Sequence, residues 1–298
     1  MTKVLLSIGE CMVEMAPRAD GAYAMGFAGD TFNTAWYARA VLGDAWQVNY
    51  LSAVGDDAVS ARMLDFMAGA GIGTAHVAAL SGRTVGLYLI QLQGAERSFA
   101  YWRSASAARH LADDPARLAV ALSGVQVAYL SGITLAILDE AGRKRLGDAL
   151  AQARKAGTVV VFDPNLRPRL WETAAQMCDV VTMAAGWADV VLPSFDDEAR
   201  FFGDRTTQET ARRYAAGGAG VVVVKDGPND VLAWQHGSVT TCSPPPVAQI
   251  VDTTAAGDSF NAGFLAAWLA GRDLAASAAA GAALAGRVIG ARGALVRV

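Results

Sequence analysis

The run Asp252-Thr253-Thr254-Ala255-Ala256-Gly257-Asp258 is the stretch whose residue types and spacing could carry chemistry. Small residues at 255, 256 and 257 let backbone N–H groups face outward. From Ala256 onward, small and apolar residues recur at helical spacing through Phe260, Phe264, Ala267 and Trp268. A helix beginning there points its free amides and positive end at the turn, which suits a phosphoryl group. Asp258 falls in the first turn of that helix. Such a residue complements the helix dipole, and a carboxylate beside phosphate-binding amides can also accept the proton of an attacking hydroxyl. The residues alone leave both roles open.

Composition narrows the classes. The chain has 298 residues, 53% hydrophobic and 18% charged, with a formal net charge of −3. That is globular usage, long enough for one large α/β domain or two ordinary ones, without the basic excess of a nucleic-acid binder. Cys11, Cys178 and Cys242 are odd in number and scattered, so neither a disulfide framework nor a C-x-x-C metal site is expected, and a reducing cytosol fits. His76, His110 and His236 are isolated, which disfavours a metal hydrolase. Neither G-x-G-x-x-G after a strand nor a Walker A run occurs, which disfavours a Rossmann dehydrogenase. The start runs directly into a strand-like segment without a long apolar h-region, so no signal peptide is expected. The longest Ala-rich stretch is broken by Ser277 and Gly281, so no membrane span is expected.

The elements that must position the turn follow from periodicity and punctuation. Residues 4–8 read as a buried first strand, 12–15 as an exposed one, and 17–29 as loop. A helix starts near Asp30 and stops at Gly43. Residues 48–54, the turn Gly55-Asp56-Asp57 and a helix to Gly69 have the order of a βαβ unit. Residues 84–90 and 98–102 predict a hairpin joined by Gly94-Ala95-Glu96-Arg97. Asp114-Pro115 starts a helix, and 125–130 is a strand ending at Ser131-Gly132-Ile133. A helix over 138–155 leads to 158–162, a fully apolar strand suited to the middle of a parallel sheet. Residues 189–193 and 221–224 are further strands, Ser194 to Glu198 cap a helix ending near Gly203, and 274–289 is a closing helix. The expected fold is a doubly wound, mostly parallel α/β domain over 1–298, with a small β-sheet lid from segments about 11–28 and 83–104.

The run ending at Asp258 resembles the C-terminal signature of the PfkB, or ribokinase-like, carbohydrate kinases, and the resemblance covers essentially the whole chain. It implies that Asp258 is the base for the sugar hydroxyl and that the backbone of Ala255, Ala256, Gly257 and Asp258 forms the anion hole for the γ-phosphate. Many relatives have Gly where this chain has Ala255, so the turn is expected not to rely on a positive φ there. Ala28-Gly29-Asp30-Thr31-Phe32-Asn33 resembles the family's G-G-x-x-x-N motif, with Ala28 for the first Gly. It implies sugar contacts from Gly29, Asn33 and Asp30, although Asp30 is also a good N-cap and Gly29 a plain turn residue. Tyr101-x-Arg103, followed by Ser104-Ala105-Ser106-Ala107, looks like the subgroup of 2-keto-3-deoxygluconate kinases, as does Asp163-x-Asn165-x-Arg167. There Arg103 and Arg167 would hold the substrate carboxylate, and Tyr88 and Tyr101 its hydroxyls. Packing tyrosines and an Arg167 paired with Asp163 are the plainer alternatives. Two arginines from separate motifs fit an acidic sugar, because a guanidinium meets a carboxylate as a planar fork. Lys225 and Gly227 match the element near the ATP phosphates and ribose, with Lys225 otherwise a solvated strand end. Ser194 and Asp197 fall where relatives carry N-x-x-E, which makes Asp197 a candidate for Mg²⁺. The resemblance thus implies ATP, Mg²⁺, a small sugar acid and a homodimer or larger homo-oligomer through the lid. A neutral-sugar kinase such as a fructokinase, or a non-catalytic sensor, are the alternatives.

Overall fold

The computed structural model describes residues 2–93 and 96–298. Its strands are β1 (Lys3–Ile8), β2 (Met12–Pro17), β3 (Tyr23–Ala28), β4 (Trp46–Gly55), β5 (Ile72–Leu80), β6 (Leu87–Gln93), β7 (Glu96–Trp102), β8 (Val127–Ser131), β9 (Val159–Asp163), β10 (Val190–Val191), β11 (Val221–Val224), β12 (Val231–Gln235) and β13 (Ser238–Cys242). The helices are α1 (Asp30–Val41), α2 (Ala58–Gly69), α3 (Pro115–Leu122), α4 (Gly132–Ile137), α5 (Glu140–Lys155), α6 (Ala174–Ala185), α7 (Phe195–Phe202), α8 (Thr207–Ala216), α9 (Ala256–Leu269) and α10 (Leu274–Ile289). The main sheet runs β13-β12-β11-β10-β9-β8-β1-β4-β5 and is parallel except at the β11-β12-β13 edge.

Pleating divides the side chains of this sheet between two cores. Leu5, Tyr129 and Val161 face one layer with Phe32 and Tyr37 of α1, Phe264 of α9 and Val288 of α10. Leu6, Leu130 and Phe162 face the other with Leu118 of α3, Leu146 of α5 and Val181 of α6. Each fully buried large side chain contributes about 1.5–3 kcal/mol, so strands apolar on both faces are held from both sides. Local signals agree at α3, where Asp114 accepts from Ala116 N at 2.9 Å and Pro115 stands in the first turn.

The lid is a separate sheet of order β3-β2-β6-β7. β6 and β7 form the expected antiparallel hairpin, with Tyr88 opposite Tyr101. The expected turn residues Gly94 and Ala95 lie outside the described residues, and Glu96 and Arg97 already belong to β7. One expectation fails at 17–29: residues 23–28 are not loop but β3, antiparallel to β2. Ala24, Gly26 and Ala28 weaken the local strand signal, and pairing with β2 supplies the order instead. The sequence also carries no clear strand signal at 72–80, diluted by Gly73, Ala75, Ala78 and Ala79, yet β5 forms the sheet edge beside β4. Ser131-Gly132-Ile133, where the resemblance to the 2-keto-3-deoxygluconate kinase subgroup implies a substrate-side loop, instead ends β8 and opens α4. Ser131 caps α4 in a reciprocal box with Thr134. Among the described residues no helix is long and apolar enough to cross a membrane.

β1 lies at the topological switch of the sheet, with β4 on one side and β8 on the other. Open α/β sheets bind ligands beyond the carboxyl ends of the strands near such a point.

Candidate active site

The carboxyl ends of the strands deliver Ser131 from β8, Asp163 from β9, Ser194 just after β10 and Lys225 just after β11. α9 brings its N-terminus to the same region. Its N-cap is Ala255 at φ 60° and ψ 18°. The expectation that the turn avoids a positive φ at this alanine is therefore wrong: the backbone bends as a glycine would, at a cost of about 1–2 kcal/mol for the Cβ. Tertiary anchoring holds it there. Buried Asp252 accepts from Thr254 N at 3.0 Å and from Gly293 N at 2.7 Å, tying the turn to the C-terminal segment. Ser259 Oγ donates to Ala255 O at 2.8 Å.

Asp258 sits in the first turn of α9, and its Oδ2 accepts from Asn33 Nδ2 at 2.8 Å. Its carboxyl is pushed up to about 8, first by burial and next by the negative charge of Asp30, with the Asn33 hydrogen bond opposing the rise. Asp30 is itself raised, again mainly by burial, and is partly relieved by bonds from Ser131 and from Asn165 Nδ2 at 2.8 Å. Asn33 is buried, with its amide engaged at both ends, because its Oδ1 accepts from Gly29 N at 3.3 Å. Gly29, rather than Asp30, is the N-cap of α1. Close approach demands a glycine there, since a Cβ would lie 2.1 Å from the carbonyl oxygen of Glu10.

Lys225 is not a solvated strand end. It is 8% exposed, and its ammonium donates to Asp163 Oδ2 at 3.2 Å and Asn261 Oδ1 at 3.0 Å. Asn261 in turn donates to Asp163 Oδ2 at 2.6 Å and to the Tyr129 hydroxyl at 3.0 Å. A Cβ on Gly257 would lie 3.6 Å from Lys225 Nζ, so a buried cation stands beside the amide turn. Gly227 is exposed in the turn after β11, at φ 53°.

The expected carboxylate-binding residues are placed differently from one another. The Arg103 guanidinium is nearly buried and ion-paired with the buried carboxylate of Glu10. Arg167 is about half exposed, donating to Leu166 O at 2.7 Å and lying 3.5 Å from Asp197 Oδ2, so its acidic neighbour is Asp197 rather than Asp163. Tyr88 is buried with its hydroxyl on Glu14, and its ring centroid lies 6.0 Å from that of the more exposed Tyr101. Burial raises the carboxyl of Asp197, Arg167 opposes the rise, and the charge of Asp163 adds to it. Ser194 makes no side-chain capping bond to α7. Among the described residues no three acidic, His or Cys groups gather around one point. Mg²⁺ commonly uses one or two carboxylates plus waters and phosphate oxygens, and the partly exposed carboxylate of Asp197, 3.5 Å from Arg167, is compatible with one place in that donor set. Glu198, the next residue, is committed elsewhere, to Arg213 at 2.6 Å and Tyr214 at 3.0 Å.

The sequence assigns no role to Glu10 or Asn261, and it places Asp252 in the turn without marking it as the clamp to Gly293. A polar residue just past the carboxyl end of a buried strand was the available signal for Glu10. Nothing local marks Asn261 as a buried bridge.

Similarity to known proteins extends along nearly the whole chain. The chain is 39% identical to a 2-dehydro-3-deoxygluconokinase of Haemophilus influenzae, over 99% of this chain and 96% of the relative. It is 36% identical to a 2-dehydro-3-deoxygluconokinase of Dickeya dadantii, over 99% and 97%. A fructokinase of Xylella fastidiosa, solved with bound ATP, superposes with a TM-score of 0.83 at 23% identity, covering 99% of this chain and 94% of that one, and shares the fold. With a family model matching residues 2–296, the chain belongs to the pfkB family of carbohydrate kinases.

Proposed function

We propose that this protein transfers the γ-phosphoryl group of ATP to the 6-hydroxyl of 2-dehydro-3-deoxy-D-gluconate. The observation that carries the chemistry is Asp258, a carboxylate held by Asn33 at the amide-rich start of α9. The full-length relatives of the same printed activity carry the choice of sugar over a fructokinase or another neutral-sugar kinase.

In this reading Asp258 takes the proton of the hydroxyl as it attacks, and the amides of 255–258 stabilise charge on the transferred group. Asn33 keeps one carboxylate oxygen engaged and so orients the other. Lys225, beside Gly257, adds positive charge at the turn, and Gly227 leaves the backbone open after β11 for the nucleotide. Mg²⁺, held through Asp197 and phosphate oxygens, would neutralise charge on the phosphates. Arg103 and Arg167 serve the acid group of the sugar, with Tyr88, Tyr101, Gly29 and Asp30 lining its path. The exposed rings of Tyr101 and Trp102, at 47% and 60%, favour a homodimer joined through the lid sheet. A cytoplasmic location suits the three free cysteines.

Coupled ADP release with Mg²⁺ and ATP, comparing 2-keto-3-deoxygluconate with fructose, ribose and gluconate, tests the reading. The keto-deoxy acid should be preferred, and Arg103→Ala and Arg167→Ala should abolish that preference. Faster turnover of a neutral sugar would overturn the substrate while keeping the phosphate turn. A sensor would show ligand binding without ADP release.

A further inference from the structure

Every passage of the chain between the main sheet and the lid converges on Glu10. The residue itself lies between β1 and β2. Where β3 returns to α1, Gly29 packs so closely that a Cβ would overlap the Glu10 carbonyl oxygen. Where the chain enters β6, a Cβ on Gly86 would lie 2.7 Å from Glu10 Oε1 and 3.1 Å from Arg103 Cβ. Where it leaves β7, Arg103 closes its ion pair on Glu10 Oε2, with 9% and 1% of the two side chains exposed. Three buried polar atoms of this cluster have no partner: Glu10 Oε1, Arg103 Nε and Ser106 Oγ. Orphaned buried groups are uncommon, and an unmet guanidinium N–H is a donor waiting for an acceptor.

We propose that Glu10 is the positioning residue of the acid-recognition site. Its carboxylate holds the Arg103 guanidinium in place at the lid hinge, so that the N–H donors outside that ion pair are left for the carboxylate of the sugar acid. The inference rests on Arg103 being a substrate contact. Glu10 also keeps the buried Arg103 charge balanced before substrate arrives, which an unpaired arginine in this position would lack. The arrangement ties acid recognition to lid geometry, because Glu10 stands where the chain enters the lid and Arg103 where it leaves.

The test is a steady-state comparison of wild type, Glu10→Gln, Glu10→Asp and Arg103→Ala with 2-keto-3-deoxygluconate at saturating ATP and Mg²⁺, paired with the substrate-induced shift in Tm. Glu10→Gln keeps an acceptor but loses the charge that orients the guanidinium. It should raise KM for the acid about tenfold, as loss of one charge-assisted contact does, with kcat and the KM for ATP unchanged. Glu10→Asp, which retains the charge, should recover part of that affinity. A purely structural role would instead lower Tm while leaving KM and the substrate-induced shift as in wild type, and that result overturns the proposal. If Arg103→Ala raises KM but Glu10→Gln does not, the positioning role fails alone. If Arg103→Ala leaves KM unchanged, the assignment of Arg103 to the substrate fails first.

Discussion

The ionisation of Asp258 makes a demanding test, because its carboxyl is held at about 8 by burial and by Asp30. A base must be ionised to accept a proton, so only about one-tenth of the free enzyme is competent at pH 7 and about nine-tenths at pH 9. The ratio kcat/KM should therefore rise about tenfold between pH 7 and pH 9. It should be measured with both co-substrates below saturation, so that the limb reports the unliganded protein. Asp30→Asn removes the second cause of the shift, and the limb should move to lower pH whatever happens to its height. Stability supplies an independent arm with a defined sign. A carboxyl raised in the fold keeps its proton where the unfolded chain has released it, so its stabilising contribution is complete below about pH 4 and lost as pH rises through about 8. Asp258→Asn cannot ionise, and its Tm should gain on wild type steadily across that window. A kcat/KM profile flat from pH 6.5 to 9, or a limb below pH 6, would refute both the environment assigned to Asp258 and its role.

Three further substitutions follow from the same geometry. Asp258→Asn should lower kcat by about 10²–10⁴-fold, the range for a general base, while calorimetry finds ATP binding intact. Gly29→Ala forces a Cβ against the Glu10 carbonyl and should cost about 2 kcal/mol or more in thermal unfolding, with activity falling as Asn33 and Asp258 separate; an unchanged Tm would show that β1 and α1 do not meet this closely. Ala255→Gly should relieve a left-handed alanine worth about 1–2 kcal/mol, offset by about 0.4–1 kcal/mol of added unfolded-state freedom, so Tm should rise slightly with activity kept. A fall in Tm would mean that the turn is held by its side chain rather than despite it.

What the sequence by itself determined is what local chemistry can write. The turn before α9, the Asp114-Pro115 start of α3, the apolar runs of β8, β9 and β11 and the β6-β7 hairpin all declare themselves through spacing, capping and strand composition. The residue types of the site carried the family resemblance, through the D-T-T-A-A-G-D run and two arginines at strand exits, while the run by itself left the role of Asp258 open. Other features depended on partners far along the chain. β3 is a strand because β2 lies beside it, and β5 because β4 does, not because their own alanines and glycines prefer it. Ala255 accepts a left-handed backbone because the Asp252 carboxylate clamps the turn to Gly293. Asp258 is pushed up by its burial in the assembled fold and by the charge of Asp30, which α1 brings across from the other end of the chain together with the opposing hydrogen bond of Asn33. Lys225 changes from a strand-end cation to a buried one when Asp163 and Asn261 close over it, and Arg103 finds Glu10 only once the lid has folded back onto β1. Burial, long-range hydrogen bonding and charge proximity are properties of the assembled fold, so the sequence could name these side chains without stating their condition.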